Sequence, residues 1–234
     1  MAARRCVLFF ARSPRAETRT KKLAGAEPFF AAAAERVAEA ARRAGFDLLV
    51  ASGGPPPKVE ARRAVAQRGR GFAERLRNAF ADAHALGYEQ IVAVPGDVPG
   101  LDPALLAQAA TALDEGRIVL GPSPDGGVYL LGLAGEDWAS ALEGVRWQTS
   151  AVFRDLLSHA RNSGVEVLPL LADVDRLRDL DRIAREGGVD PGLVRLIRTI
   201  RRRPALRPCA HEGPRRRAPG LGVEPLRGPP CPPA

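Results

Sequence analysis

Gln90-Ile-Val-Ala-Val-Pro-Gly-Asp-Val-Pro-Gly-Leu101 is the stretch whose reading decides the fold of this chain. Ile91 to Val94 form a short apolar run without polar alternation, the pattern of a strand buried on both faces between helix layers. Pro95 has no backbone donor and ends the ladder. Gly96 lets the chain turn sharply, and Asp97 is the first ionisable group beyond the strand. Asp102 and Pro103 then read as N-cap and first helical residue. A carboxylate just past the carboxyl end of a central strand lies where open α/β sheets bind ligands. A phosphate-bearing ligand held there with a hard divalent cation would need carboxylate oxygen. The plainer alternative is that Asp97 only caps the turn.

Upstream, Cys6–Ala11 is a second fully apolar run and reads as the first strand. Residues 12–22 follow as a loop with five basic residues, Arg12, Arg15, Arg19, Lys21 and Lys22, suited either to holding a di- or triphosphate or to simple solvation. No Gly-x4-Gly-Lys-Ser/Thr spacing occurs, so it is not a Walker loop. The periodicity predicts a helix over 29–45, a strand over 47–51 and a loop over 52–57, and leaves 59–66 undecided between helix and strand. Gly69-x-Gly71 precedes a helix over 73–86. Glu74 stands where a dinucleotide fingerprint has its third glycine, yet free backbone donors at the helix start still suit an anion.

Downstream, a helix over 103–114 leads to a strand over 117–121, and Pro122-Ser-Pro-Asp-Gly-Gly127 is a tight turn before a strand over 128–132. This connection is too short for a parallel crossover, so the two strands pair antiparallel or diverge. Trp147 precedes a helix over 151–161 capped by Thr149 or Ser150; it either staples the helix entry, the preferred local reading, or lines a pocket. Residues 166–171 read as the last strand. Asp173-Val174-Asp175 just beyond it is a second candidate metal site, or else supplies the cap of a helix over 177–186, a role Asp179 also suits. A helix over 191–202 closes the domain.

The formal charge of +8 is concentrated at one end: residues 201–234 carry eight Arg against Glu212 and Glu224, leaving a net +2 for the other 200 residues. A folded part so nearly neutral does not support a nucleic-acid footprint. Nine of the 21 prolines also fall in 201–234, without apolar periodicity, so a disordered Arg/Pro-rich tail is expected over 204–234 and a single domain over 1–203. Three scattered cysteines give neither a metal spacing nor a disulfide framework, and no apolar run reaches membrane-spanning length. The expectation is a cytoplasmic protein without a membrane span.

Strands alternating with helices indicate a mostly parallel sheet covered on both faces. Four segments converge at strand ends: 12–22, Gly69–Gly71, Gly96–Pro99 and Asp125–Gly127. With Gly71-Phe-Ala-Glu-Arg75, Gly96-Asp-Val-Pro-Gly-Leu101, Gly121-Pro-x-x-Asp125-Gly-Gly-x-Tyr129-Leu-Leu-Gly132, Trp147-Gln-Thr149 and Asp173-Val-Asp175 in that order, the chain resembles the GT-A-type nucleotide-diphospho-sugar transferase superfamily, and within it the DUF2064 family of glycosyltransferase-like proteins. The resemblance implies a three-layer, Rossmann-like α/β GT-A fold with a mostly parallel mixed sheet. It implies a metal-dependent glycosyltransferase-like enzyme that takes a nucleotide sugar, Mg2+ or Mn2+, and an unknown small-molecule acceptor. A nucleotidyltransferase using an NTP, or a non-catalytic nucleotide-binding module, are the alternatives. Carried over by position, Asp97 is a metal ligand and, with Asp125, catalytic, and Asp173 or Asp175 is a second metal ligand. Arg12, Lys21, Lys22, Gly71 and Arg75 meet the nucleotide or its phosphates, and Gly126, Gly127, Trp147 and Thr149 meet the substrate. The chain departs from the family's usual Pro-Gly and Lys-Thr-Arg-Leu in the first loop, having Ala16-Glu17 and Lys21-Lys22-Leu23, and has Gln148 in place of a serine or threonine.

Overall fold

The computed structural model describes residues 3–135, 138–160, 164–186 and 190–202. Its strands are β1 (Arg5–Phe10), β2 (Asp47–Ser52), β3 (Arg63–Ala66), β4 (Gln90–Val94), β5 (Ile118–Pro122), β6 (Val128–Ala134) and β7 (Val165–Val167). They form one sheet in the order β3-β2-β1-β4-β6-β5-β7. β3, β2, β1 and β4 run parallel, β6 is antiparallel to both β4 and β5, and β7 is parallel to β5. The sheet is therefore mixed and mostly parallel, as the alternation of apolar runs and helices implied.

The helices are α1 (Pro14–Thr20), α2 (Glu27–Arg43), α3 (Phe72–Ala85), α4 (Pro103–Asp114), α5 (Trp138–Leu142), α6 (Val152–His159), α7 (Leu177–Glu186) and α8 (Pro191–Arg202). Successive side chains of a strand point to opposite faces, and both faces are covered here. Val7, Phe9, Val92 and Val94 pack in one core with Val37 and Ala41 of α2 and Leu106 and Leu113 of α4. Cys6, Leu8, Ile91 and Ala93 pack in a second with Leu76 and Phe80 of α3, Leu142 of α5 and Leu156 of α6. A third cluster joins Phe29 and Phe30 at the start of α2 to Leu180 of α7 and Ile197 of α8. All five residues of β4 are buried, which is why its sequence shows no alternation.

From β1 the chain builds β2 and β3 on one side, then returns to place β4 on the other. Such a reversal of strand order opens a crevice beyond the carboxyl ends of the two central strands. Because β6 runs antiparallel beside β4, the 123–127 turn that starts it lies at the same edge.

Several local expectations need correction. Residues 12–22 are not an open loop: Ser13 accepts from Ala16 N at 3.3 Å, Pro14 pre-sets the first turn, and α1 runs to Thr20. The undecided stretch 59–66 contributes the edge strand β3. The last strand is only Val165–Val167, since Pro169 cannot extend a ladder. Helix α6 starts one residue later than expected, at Val152; its N-cap is Ala151, without a side-chain bond, and Thr149 Oγ1 instead accepts from Ala151 N. Asp102 does cap α4, accepting from Leu105 N at 3.0 Å. The strands flanking the Asp125 turn pair antiparallel, the first of the two options. Among the described residues no helix is long and apolar enough to cross a membrane. The expected tail, 204–234, lies outside the described residues.

Candidate functional site

A cleft of about 690 Å³ occupies the crevice between the ends of β1 and β4. The end of β1 contributes Phe10, Ala11 and Arg12; the floor is Pro95, Gly96 and Asp97; Phe72 and Arg75 of α3 with Trp147 and Gln148 complete the wall. Phe72 bridges two other aromatic rings, with ring centroids 5.6 Å from Phe10 and 5.5 Å from Trp147. Trp147 thus belongs to the cleft wall as well as to the entry of α6, a placement its local sequence did not favour.

At the floor, Lys21 Nζ donates to Asp97 Oδ2 at 2.5 Å and to Asp175 Oδ1 at 2.7 Å, with Glu17 Oε1 at 3.6 Å. Its side chain is only 8% exposed. Burial works to lower its pKa, but Asp97 and Asp175 outweigh that and hold the ammonium above the ordinary lysine range. Arg12 pairs with the buried Glu17 at 3.2 Å. The other basic groups of the cleft are differently placed. Neither Lys22 nor Arg75 forms an ion pair with a described residue, and Arg75 Nε is buried without a partner. Lys22 takes a left-handed conformation, φ 55°, which turns the chain at the end of α1.

The segment after β7 is tied to this floor because Val174 N donates to Asp97 O at 3.0 Å. Asp173 beside it is half-buried, and its carboxyl is raised to about 6 by burial and by the charges of Asp97, Asp175 and Asp125. Against an ordinary value of 3.8, folding then takes up a proton between about pH 4 and 6. That raised pKa favours the folded state below this window, and stability is lost as pH rises through it. Asp173→Asn should therefore raise the melting temperature at pH 7.5 by a few degrees, on the order of 1 kcal/mol after allowing for solvent screening. The gain should vanish at pH 4, and an equal gain at both pH values would refute its electrostatic origin.

Of the residues singled out from the sequence, Arg12, Lys21, Lys22, Arg75, Asp97, Trp147 and Asp175 line the cleft. Gly71, Asp125, Gly126, Gly127, Thr149 and Asp173 stand outside that lining. Asp125 is engaged in its own turn, where Oδ1 accepts from Ser123 Oγ at 2.8 Å and Gly127 N at 2.9 Å. Glu17 and Gln148 were missed. Glu17 was legible as the acid four residues before Lys21. Gln148, at φ 62°, is a strained side-chain-bearing residue on the wall, and only its departure from the usual serine or threonine marked it.

The donor set can be tested against the divalent ion that the resemblance implies. The Lys21 ammonium holds one oxygen of Asp97 and one of Asp175. Two cations on the same pair of oxygens repel strongly at that separation. Among the described residues no group of three or more His, Cys, Asp or Glu side chains is disposed to hold a metal. Asp97 Oδ1, buried and without a hydrogen-bond partner, and the exposed carboxylate of Asp175 still offer the oxygen donors a hard cation takes, so the donor set fits a divalent ion by its chemistry, with Lys21 as the competing charge.

The three-layer fold with its cleft at the β1/β4 reversal is that of the nucleotide-diphospho-sugar transferases. A protein from Desulfovibrio desulfuricans G20 assigned to that class superposes with a TM-score of 0.73 at 23% identity, covering 86% of this chain and 98% of that one. The chain belongs to the DUF2064 family, described as an uncharacterized protein conserved in bacteria, whose sequence model matches residues 19–149. Rv0371c from Mycobacterium tuberculosis H37Rv is similar at a TM-score of 0.50 and 22% identity, over 78% of this chain and 98% of that one. That protein is also known in complex with manganese, in a structure with a TM-score of 0.49, 24% identity and coverages of 77% and 98%. CMP:2-keto-3-deoxy-manno-octonic acid synthetase complexed with CTP is similar at 0.51 and 14% identity, over 77% and 96%. No curated protein matches the chain.

Proposed function

We propose that this chain is a nucleotide-using transferase that moves a glycosyl group from a nucleotide sugar to a small-molecule acceptor. The observation that carries the reading is the charge of the cleft. Arg12, Lys21, Lys22, Arg75 and Arg176 line it against Glu17, Asp97 and Asp175, leaving a positive excess at the switch point of the sheet. The solved structures of similar fold, one assigned as a nucleotide-diphospho-sugar transferase and one holding CTP, support the same ligand class.

In this reading Lys22 and Arg75, whose charges have no ion-pair partner among the described residues, take the diphosphate. The aromatic wall of Phe10, Phe72 and Trp147 takes the flat base or a sugar face. When the bond between the anomeric carbon and the diphosphate oxygen breaks, negative charge grows on the leaving group, and fixed cations beside it lower the barrier. Asp97 stays the central acid of the floor, with Lys21 aimed by it, while Asp125 with Gly126 and Gly127 borders the acceptor side. The same cations suit the triphosphate of an NTP, and the similarity to a CTP-bound synthetase favours nucleotidyl transfer as the second reading.

Phosphorus NMR of the protein with pooled nucleotide sugars, and separately with pooled NTPs, tests both. Conversion of one nucleotide sugar to its nucleoside diphosphate is the expected result. Pyrophosphate released from one NTP would replace glycosyl by nucleotidyl transfer. No turnover and no line broadening in either pool would overturn the reading as a nucleotide enzyme.

A further inference from the structure

Trp147 reaches the cleft wall from a loop whose backbone is pinned on both sides of the preceding residue. Arg146 N donates to Asp155 Oδ2 at 3.0 Å, and Arg146 O accepts from Thr149 Oγ1 at 2.6 Å. The two peptide groups that flank residue 146 are thus each held by a side chain, and Trp147 N closes the turn on Val145 O at 2.9 Å. Asp155 also takes the Arg146 guanidinium in a two-pronged grip, from Nε at 2.9 Å and from a terminal nitrogen at 2.6 Å. These bonds from the Arg146 side chain and backbone hold the Asp155 carboxyl down to about 2, so it is ionised at any working pH. Immediately beyond, Gln148 stands at φ 62°, where a side-chain-bearing residue is strained. A free loop would relax that strain by swinging the residues beside it, Trp147 among them, and the grip on residue 146 prevents the swing. Asp155 lies in α6, which Val152 and Leu156 anchor in the core, so the loop is held by a rigid element. Its large side chain inside the cleft, Trp147, then meets Phe72 at 5.5 Å between ring centroids.

We propose that Asp155 is the positioning residue of this wall: from outside the cleft lining it fixes residue 146, and through it the plane of the Trp147 ring on which the flat part of the ligand stacks. Trp147 does the touching, and Asp155 never meets the ligand. A single carboxylate on α6 therefore sets the affinity for the base or sugar face and leaves the phosphate cations, at the end of α1 and on α3, untouched. The inference rests on the reading of the cleft as a nucleotide site for what stacks on Trp147, and not for how the ring is held.

The experiment uses the full chain carrying Trp138→Phe, which keeps a ring against Phe80 and leaves Trp147 as the single tryptophan. Tryptophan emission with acrylamide quenching, and calorimetric affinities for CTP and inorganic pyrophosphate, are measured on this parent and with Asp155→Ala or Asp155→Asn added. Asp155→Ala is expected to red-shift the Trp147 emission, open the ring to the quencher and weaken CTP by about tenfold, the order of a lost stacking contact with a base. Pyrophosphate affinity should change by less than about twofold, because the deleted charge reaches it only through screened distance. Asp155→Asn, whose amide oxygen still accepts from Arg146 N, should restore both readouts most of the way. An unchanged emission in a folded Asp155→Ala, or equal losses for CTP and pyrophosphate, would overturn the proposal. Should Asp155→Ala not fold, Thr149→Val frees the other side of residue 146 and is judged by the same two outcomes. A parent that binds neither CTP nor pyrophosphate would defeat the nucleotide reading alone, since the emission still decides how Trp147 is held.

Discussion

Gly126→Ala is expected to lower the melting temperature by about 4–20 °C. Gly126 sits at φ 87°, a left-handed conformation, and a Cβ built there would lie 2.4 Å from Ser150 O. The backbone strain for alanine is on the order of 1–2 kcal/mol, and relieving a contact that close with a main-chain carbonyl costs a further ~1–3 kcal/mol. At roughly 2–4 °C per kcal/mol for a chain of this size, the two effects give the stated range. Ser150 has little room to retreat, because Phe153 N donates to Gly126 O at 3.0 Å and holds α6 against the turn. Gly135→Ala is the control. It has a similar φ of 72° but open space around the would-be Cβ, so it should cost only the strain. Differential scanning calorimetry of both variants checks the point, and equal losses would show that the turn does not seat on residue 150.

The second large effect is on binding. Arg75→Ala should weaken the affinity for inorganic pyrophosphate and for CTP by about 10–100-fold, the range expected for removing one charge-assisted hydrogen bond from a partly buried site. The residue is half-buried on the cleft wall with Nε unpaired, so its loss leaves no other protein group exposed. Arg77→Ala, on the same helix but exposed and outside the cleft lining, removes the same charge and should change affinity by less than about twofold at physiological salt. Calorimetric titration of the three proteins checks this. Equal affinities in wild type and Arg75→Ala would take Arg75 out of the ligand's reach.

The ladder of the fold was legible because burial on both faces leaves an unmistakable signature: Ile91–Val94 and Cys6–Phe10 carry no polar residue at all. Edge strands lack that signature. Arg63–Ala66 is largely exposed and Val165–Val167 is short and only half-covered, so neither could be delimited from pattern. The acids at strand ends were legible for the same topological reason as the strands, and Asp97 lies on the floor of the cleft. Which charge would answer Asp97 was not legible. That partner sits 76 residues away, and its aim depends on α1 being a helix that ends at Lys21. Ser13-Pro14 at the start of a basic segment was the available sign of that helix, outweighed by its run of charges.

The backbone tie from Val174 to Asp97 also sets the order in which the site is completed during synthesis. The family match ends at residue 149, yet the floor of the cleft is finished by Asp175, carried on the segment between β7 and the α7–α8 pair. A ribosome delivers the chain from its N-terminus. Six of the seven strands and the Lys21–Asp97 pair are therefore available before the segment that covers them has left the exit tunnel. The nascent site is an open shelf, and it becomes a closed floor only when the last two helices dock on the first turn of α2.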